Sequence, residues 1–140
     1  MTTHFTATST TDDVLSNIDL SGKRVLITGV SAGLGVETAR ALVARGASVT
    51  GTARNLKKAE AAVSEIRSVA RNSGGSLDLL ELDLASLSSV VAAADSLLAA
   101  QQRFDIVIAN AGVMATPEGK TADGFETQIG INFIGHFVFI

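Results

Sequence analysis

Apolar residues recur along this chain in two spacings that take turns. Short solid runs alternate with longer segments in which apolar positions step by three and four. The first solid run, Arg24 to Thr28, predicts a strand, introduced by the turn Ser21-Gly22-Lys23. Val36 to Arg45 carries Val36, Ala39, Leu42 and Val43 at helical spacing and is stopped by Gly46. Ala47 to Ala53 predicts a second, weaker strand. Leu56, Ala59, Val63, Ile66 and Ala70 then make Asn55 to Arg71 the clearest amphipathic helix, broken by the two glycines within Asn72 to Ser76. Leu77 to Leu84 predicts a third strand, too apolar at Leu79, Leu80, Leu82 and Leu84 for one wet face, so burial on both faces is expected. Ser86 to Gln102, apolar at Leu87, Val90, Ala94 and Leu97, predicts the next helix. Phe104 to Ala109 predicts a fourth strand of the fully buried kind. Gly124 to Ile140 predicts a last helix, apolar at Phe125, Ile129, Phe133, Phe137 and Ile140. Upstream, Met1 to Thr11 lacks periodicity and reads as a mobile polar arm, while Thr10 and Asp13 are spaced as a capping box for a short helix over Asp12 to Asn17.

Strand and helix in alternation argue for a doubly wound parallel sheet with right-handed crossovers and helices on both faces, a three-layer α/β/α arrangement. Residues 1–18 form the arm and 19–140 part of a single domain, without internal repeat or linker. In such sheets ligands bind outside the carboxyl ends of the strands, where the winding reverses. The segment at that place is Thr28 to Gly35, TGVSAGLG. Gly29, Gly33 and Gly35 have no Cβ, so a ligand can approach the main chain. The helix that follows aims unpaired N–H groups and the positive end of its dipole at the turn, a ready phosphate site. The plain alternative is a tight strand-to-helix connection.

Composition narrows the partners. Hydrophobic residues make up 46% and charged residues 18% of the chain, which describes an α/β interior. A formal net charge of -3 and the lack of a Lys/Arg cluster offer no basic field for nucleic acid. There is no cysteine, and His4 and His136 lie too far apart for a local metal motif, so no metal site is expected. No apolar run is long enough to span a bilayer and the start is too polar for a signal peptide, which makes a cytoplasmic protein without membrane contact the default expectation.

Four segments in order, TGVSAGLG after the first strand, Asp83-Leu84 after the third, Asn110-Ala111-Gly112 after the fourth and Asn132 in the following helix, resemble the short-chain dehydrogenase/reductase family over Asp19 to Ile140. The resemblance implies a Rossmann-like fold and a nicotinamide dinucleotide whose pyrophosphate sits at the glycine turn, with Ser31, Ala32 and Leu34 also close to it. Asp83 would accept from the adenine amino group, with the Leu84 backbone on the ring; capping of the next helix by Asp83 is the competing reading. Asn110, Ala111 and Gly112 would lie under the cofactor, with Asn110 also tying neighbouring strands. Asn132 is the matching catalytic asparagine, which in the family distorts its helix and holds a water linked to the catalytic lysine; satisfying a neighbour is its plain role. His136, one turn on, reads as a packing or surface residue. Beyond the second strand, Ala53 stands where NAD-preferring dehydrogenases place an acid for the ribose 2′-hydroxyl, and Arg54 follows. A guanidinium there suits a 2′-phosphate, which favours NADP(H) over NAD(H). The competing reading of Arg54 is a solvated residue at a helix start.

Hydride exchange with an alcohol also needs a proton partner, in this family a tyrosine in Tyr-x-x-x-Lys aided by a serine. The chain has no tyrosine, and its last residue, Ile140, falls inside an apolar helix. The expectation is the N-terminal, cofactor-binding part of a longer reductase acting on a small carbonyl or alcohol, inactive by itself. A non-catalytic NADP(H)-binding or sensing module is the alternative. Family members commonly form dimers or tetramers through the helix carrying Asn132, whose apolar stripe therefore serves as interface or as core.

Overall fold

The computed structural model describes residues 5–140; the arm's first residues, Met1 to His4, lie outside the described residues. The element order is α1 (Thr11–Val14), β1 (Arg24–Thr28), α2 (Leu34–Val43), β2 (Ser48–Ala53), α3 (Leu56–Ala62), α4 (Ser64–Ser73), β3 (Ser76–Glu81), α5 (Leu87–Ala99) and β4 (Ile106–Ile108). After a long loop come α6 (Thr127–Ile129), a π-helical segment (Gly130–Gly135) and α7 (His136–Phe139).

The strands form one parallel sheet in the order β3-β2-β1-β4. β1 sits inside it, hydrogen-bonded on both sides, which is why its apolar run is unbroken: Val25 and Ile27 enter the core shared with α2 and α4, and Leu26 the core shared with α5 and α7. The sheet is thus covered on both faces. The chain leaves β1 toward β2 on one side and returns through α5 to β4 on the other, so the winding reverses between β1 and β4.

Several expected boundaries shift for identifiable reasons. The single helix expected over Asn55 to Arg71 is two, because the buried Val63 turns out of helical geometry (φ -99°, ψ 7°) and the Ser64 hydroxyl donates back to the Ala61 carbonyl at 3.1 Å. β3 ends at Glu81 rather than Leu84, and as an edge strand it leaves Leu79 and Leu80 only half-buried; Leu82 and Leu84 are buried in the loop beyond it. β4 is short and its Ile106 and Val107 are exposed, against the expectation of full burial, because β4 is the other edge of this sheet. The last helix begins at Thr127 rather than Gly124 and widens to π geometry across Asn132.

The capping box at Thr10 and Asp13 forms, with both reciprocal bonds, but α1 covers only Thr11–Val14. The arm is not free from there on. The Thr11 hydroxyl donates to Glu37, and Arg40 bridges Glu37 at 2.8 Å and Asp12 at 3.0 Å, which holds α1 on α2. Hydrogen bonds from Arg40 first and Thr11 second hold the Glu37 carboxyl down to about 2. Among the described residues no helix is long and apolar enough to cross a membrane.

Candidate functional site

At the carboxyl ends of β1, β2 and β4 the surface opens into a cleft of about 400 Å³. Every residue expected to touch a dinucleotide lines it except Gly33: Gly29, Ser31, Ala32, Leu34 and Gly35 from the glycine turn, Arg54 beyond β2, Asp83 and Leu84 beyond β3, and Asn110, Ala111 and Gly112 beyond β4. Gly33 is in the same turn as the N-cap of α2. Sequence reasoning passed over Thr52, Leu82, Val113 and Ile131, which complete the lining. None of them carries a recognisable signal, since each depends on where a neighbouring strand or helix ends.

The turn is built from contacts that only a bare backbone permits. A Cβ on Gly35 would lie 2.0 Å from the Gly29 carbonyl oxygen and 2.6 Å from the Asn110 amide nitrogen, so the first turn of α2 rests directly on the end of β1. Gly33 differs: it has φ 63° and ψ -138°, a conformation that disfavours side chains, but faces open space. The N–H groups of Gly29 and Val30 both donate to the Thr52 carbonyl, at 2.9 and 3.0 Å, and fasten the turn to β2. As N-cap, Gly33 supplies no side-chain acceptor, so the orphan N–H groups at the start of α2 are left to solvent or to an anion. The one carboxylate in that first turn, Glu37, is already engaged by Arg40 and Thr11 and does not oppose an anion there as a free charge would.

Asn110 closes the floor. Its side-chain amide donates to the Thr28 carbonyl at 2.9 Å and the Gly29 carbonyl at 3.2 Å, joining β4 to β1 across the reversal point. The backbone N–H groups of Asn110 and Ala111 both donate to the Thr28 hydroxyl at 3.0 Å. That hydroxyl lies 2.8 Å from Nε2 of His136, so His136 is a buried network residue, its ring nitrogens both engaged.

On the opposite wall Asp83 spends one oxygen on the Ala85 N–H at 2.9 Å, and its own N–H donates to the Ser89 hydroxyl. It does not cap α5. Ser86 takes that position, and Asp123 adds a bond from the Leu87 N–H at 2.8 Å. Arg54 is exposed at the rim, two residues from the N-terminus of α3, which Asn55 caps. Asn132 lies outside the cleft lining. Its side chain pairs with the backbone of Val113, accepting from the N–H and donating to the carbonyl, both at 2.8 Å, and so pins the segment after Gly112 to the π-helical turn.

A groove with a helix N-terminus on one side, a guanidinium at one rim and apolar walls at Leu82, Leu84 and Ala53 fits an elongated, partly apolar anion. Comparison with known proteins gives the family. Residues 23–140 match the family model described as short chain dehydrogenase. Human retinol dehydrogenase 12 is 47% identical over 123 residues, 88% of this chain and 38% of its own length. A short-chain dehydrogenase/reductase of Penicillium roqueforti is 42% identical over 130 residues, 90% of this chain and 37% of its own. Among solved structures, an uncharacterised protein of Mycobacterium paratuberculosis superposes with a TM-score of 0.73 at 44% identity, covering 86% of this chain and 41% of that one. A metagenomic short-chain oxidoreductase solved in complex with NADP gives 0.68 at 32% identity, covering 85% and 53%. The chain therefore spans less than two-fifths of the length of the curated relatives it matches.

Proposed function

Because this chain belongs to the short-chain dehydrogenase/reductase family, we propose that its cleft binds NADP(H) and serves an oxidoreductase that moves hydride between the nicotinamide and a small carbonyl or alcohol. The observation that carries the reading is the single cleft that joins the start of α2, Arg54, the Asp83-Leu84 loop and Asn110 to Gly112. The family resemblance and the NADP complex of a 32% identical neighbour support the choice of nucleotide class. The bound dinucleotide would supply the hydride chemistry.

The chain's own residues bind and orient. The N-terminal turn of α2 offers N–H donors and a positive dipole to the pyrophosphate, and Gly33 leaves the approach open. Leu82, Leu84 and Ala53 exclude water from the adenine side, where Asp83 keeps one carboxylate oxygen for an amino group. Arg54 selects the 2′-phosphate, and no carboxylate between Arg54 and Glu60 competes for a ribose 2′-hydroxyl. Asn110 and Asn132 hold the strand-end segment on which the nicotinamide half would rest. The likeness to retinol dehydrogenase 12 covers 38% of that protein and supports the family's chemistry, not a particular alcohol.

Fluorescence titration with NADPH and NADH tests the reading. The protein should bind NADPH more tightly, and Arg54→Ala should weaken NADPH by roughly tenfold to a hundredfold, the worth of charge-assisted bonds to a phosphate, while leaving NADH nearly unchanged. Equal losses for the two nucleotides would overturn the assignment of Arg54. Lack of binding to either would overturn the function.

A further inference from the structure

Among the described residues, one buried polar group that the cofactor reading does not use is His136, and the hydrogen bonds around it fix what it does. The Thr28 hydroxyl is fully buried and accepts two backbone N–H groups, those of Asn110 and Ala111. A hydroxyl has two lone pairs and one proton, so its proton must go to a third neighbour. The neighbour at 2.8 Å is Nε2 of His136, which is therefore the acceptor. The imidazole then carries its proton on Nδ1, 3.2 Å from the Asn132 carbonyl oxygen. The ring is 7% exposed, so water is a poor substitute at either end.

The partner at the second end is unusual. The Asn132 carbonyl lies within the π-helical segment, where the regular i to i+4 ladder is interrupted. The imidazole thus occupies the point where the floor of the cleft, through Thr28, meets the turn that carries Asn132, whose side chain in turn holds Val113. A histidine needed only to fill space would not require two correctly placed ring nitrogens.

We propose that His136 is a positioning residue of the dinucleotide site: it fixes the Asn110-Ala111 backbone through Thr28. The proposal rests on the reading of the cleft as an NADP(H) site. The two ring nitrogens are separable by substitution. In His136→Gln the amide reaches the place of Nε2 and keeps an acceptor for Thr28. In His136→Asn the amide keeps only the place of Nδ1, and His136→Leu keeps neither.

NADPH titration and amide hydrogen exchange at Asn110 and Ala111, the latter without nucleotide, are measured on all three variants and the unaltered protein. NADPH affinity should fall about tenfold in His136→Leu and His136→Asn and stay within about threefold in His136→Gln, with faster exchange at the two amides in the first pair only. Equal behaviour of the Gln and Asn variants in both measurements would overturn the proposal. Should His136→Leu fail to fold, the Gln and Asn pair decides it. If the unaltered protein binds no dinucleotide, the functional reading falls, and exchange at Asn110 and Ala111 still decides whether His136 is the tie.

Discussion

Replacing Gly35 by alanine sets two effects of opposite sign against each other. Gly35 lies in the first turn of α2, and in an exposed helix Ala is favoured over Gly by about 1 kcal/mol. Here the added methyl would lie 2.0 Å from the Gly29 carbonyl oxygen, where favourable contact with carbon needs roughly 3.5 Å. The obstructing atom is backbone, so the end of β1 and the helix must separate by more than 1 Å, a strain of about 1–3 kcal/mol. The same methyl would sit 2.6 Å from Asn110 Nδ2 and break its bonds to the Thr28 and Gly29 carbonyls, roughly 1 kcal/mol each. Sterics win, and the net loss should be ~2–4 kcal/mol. Urea unfolding reads it as a midpoint lowered by about 1–2 M at an unchanged slope of ~2 kcal/mol per M. Gly33→Ala is the control: it meets open space and pays only for its backbone conformation, about 1–3 kcal/mol, with the Asn110 amide undisturbed. NADPH affinity and side-chain amide NMR of Asn110 separate the two. A Gly35→Ala protein as stable as the original, with the Asn110 amide resonances in place, would refute the packing argument.

Three further outcomes follow from the geometry. The Glu37 carboxyl titrates at about 2 when folded and near 4.5 when unfolded, so its bonds stabilise above pH 4.5 and are lost as pH falls toward 2; at 45% side-chain exposure this amounts to ~0.5–1 kcal/mol. Glu37→Gln should show that deficit at pH 7 and only a small remnant of it at pH 2, and a deficit independent of pH would contradict it. Asn132→Ala removes both bonds to the Val113 backbone, so amide exchange at Val113 should accelerate about tenfold while Val25 is unaffected; an unchanged Val113 would show that the pairing is not formed in solution. Finally, a polypeptide of these residues, lacking tyrosine, should consume no NADPH with a panel of aldehydes and ketones, and turnover above a no-protein blank would reject that expectation.

The fold was legible where burial on both sides of an element left no choice of residue. Val25, Leu26 and Ile27 announce an interior strand, and Thr10 with Asp13 announces a helix start, because each pattern is decided locally. β4 looked equally buried, yet Ile106 and Val107 are exposed: apolar content records what a residue can face, not which neighbour lies beside it in this chain. The helix break at Val63 and the π turn around Asn132 leave no periodic trace, since the apolar positions still reach the core on either side of them. That the glycine turn, Asp83 and Asn110 meet along one cleft could be read from residue type and order. His136 could not, because its role is defined by a threonine 108 residues away.

The bond from Asn110 to Thr28 spans 82 residues, and that separation sets a schedule. At a synthesis rate of about 5–20 residues per second, the turn at Thr28 to Gly35 leaves the ribosome roughly 4–16 s before the amide that will cover it. Throughout that interval β1 lacks β4, and the Gly29 carbonyl has no side chain to meet. The first turn of α2 is therefore finished long before its floor. On the proposed reading of the cleft, a nascent chain has the complete floor of its nucleotide site only once the Asn110 segment has been made and docked.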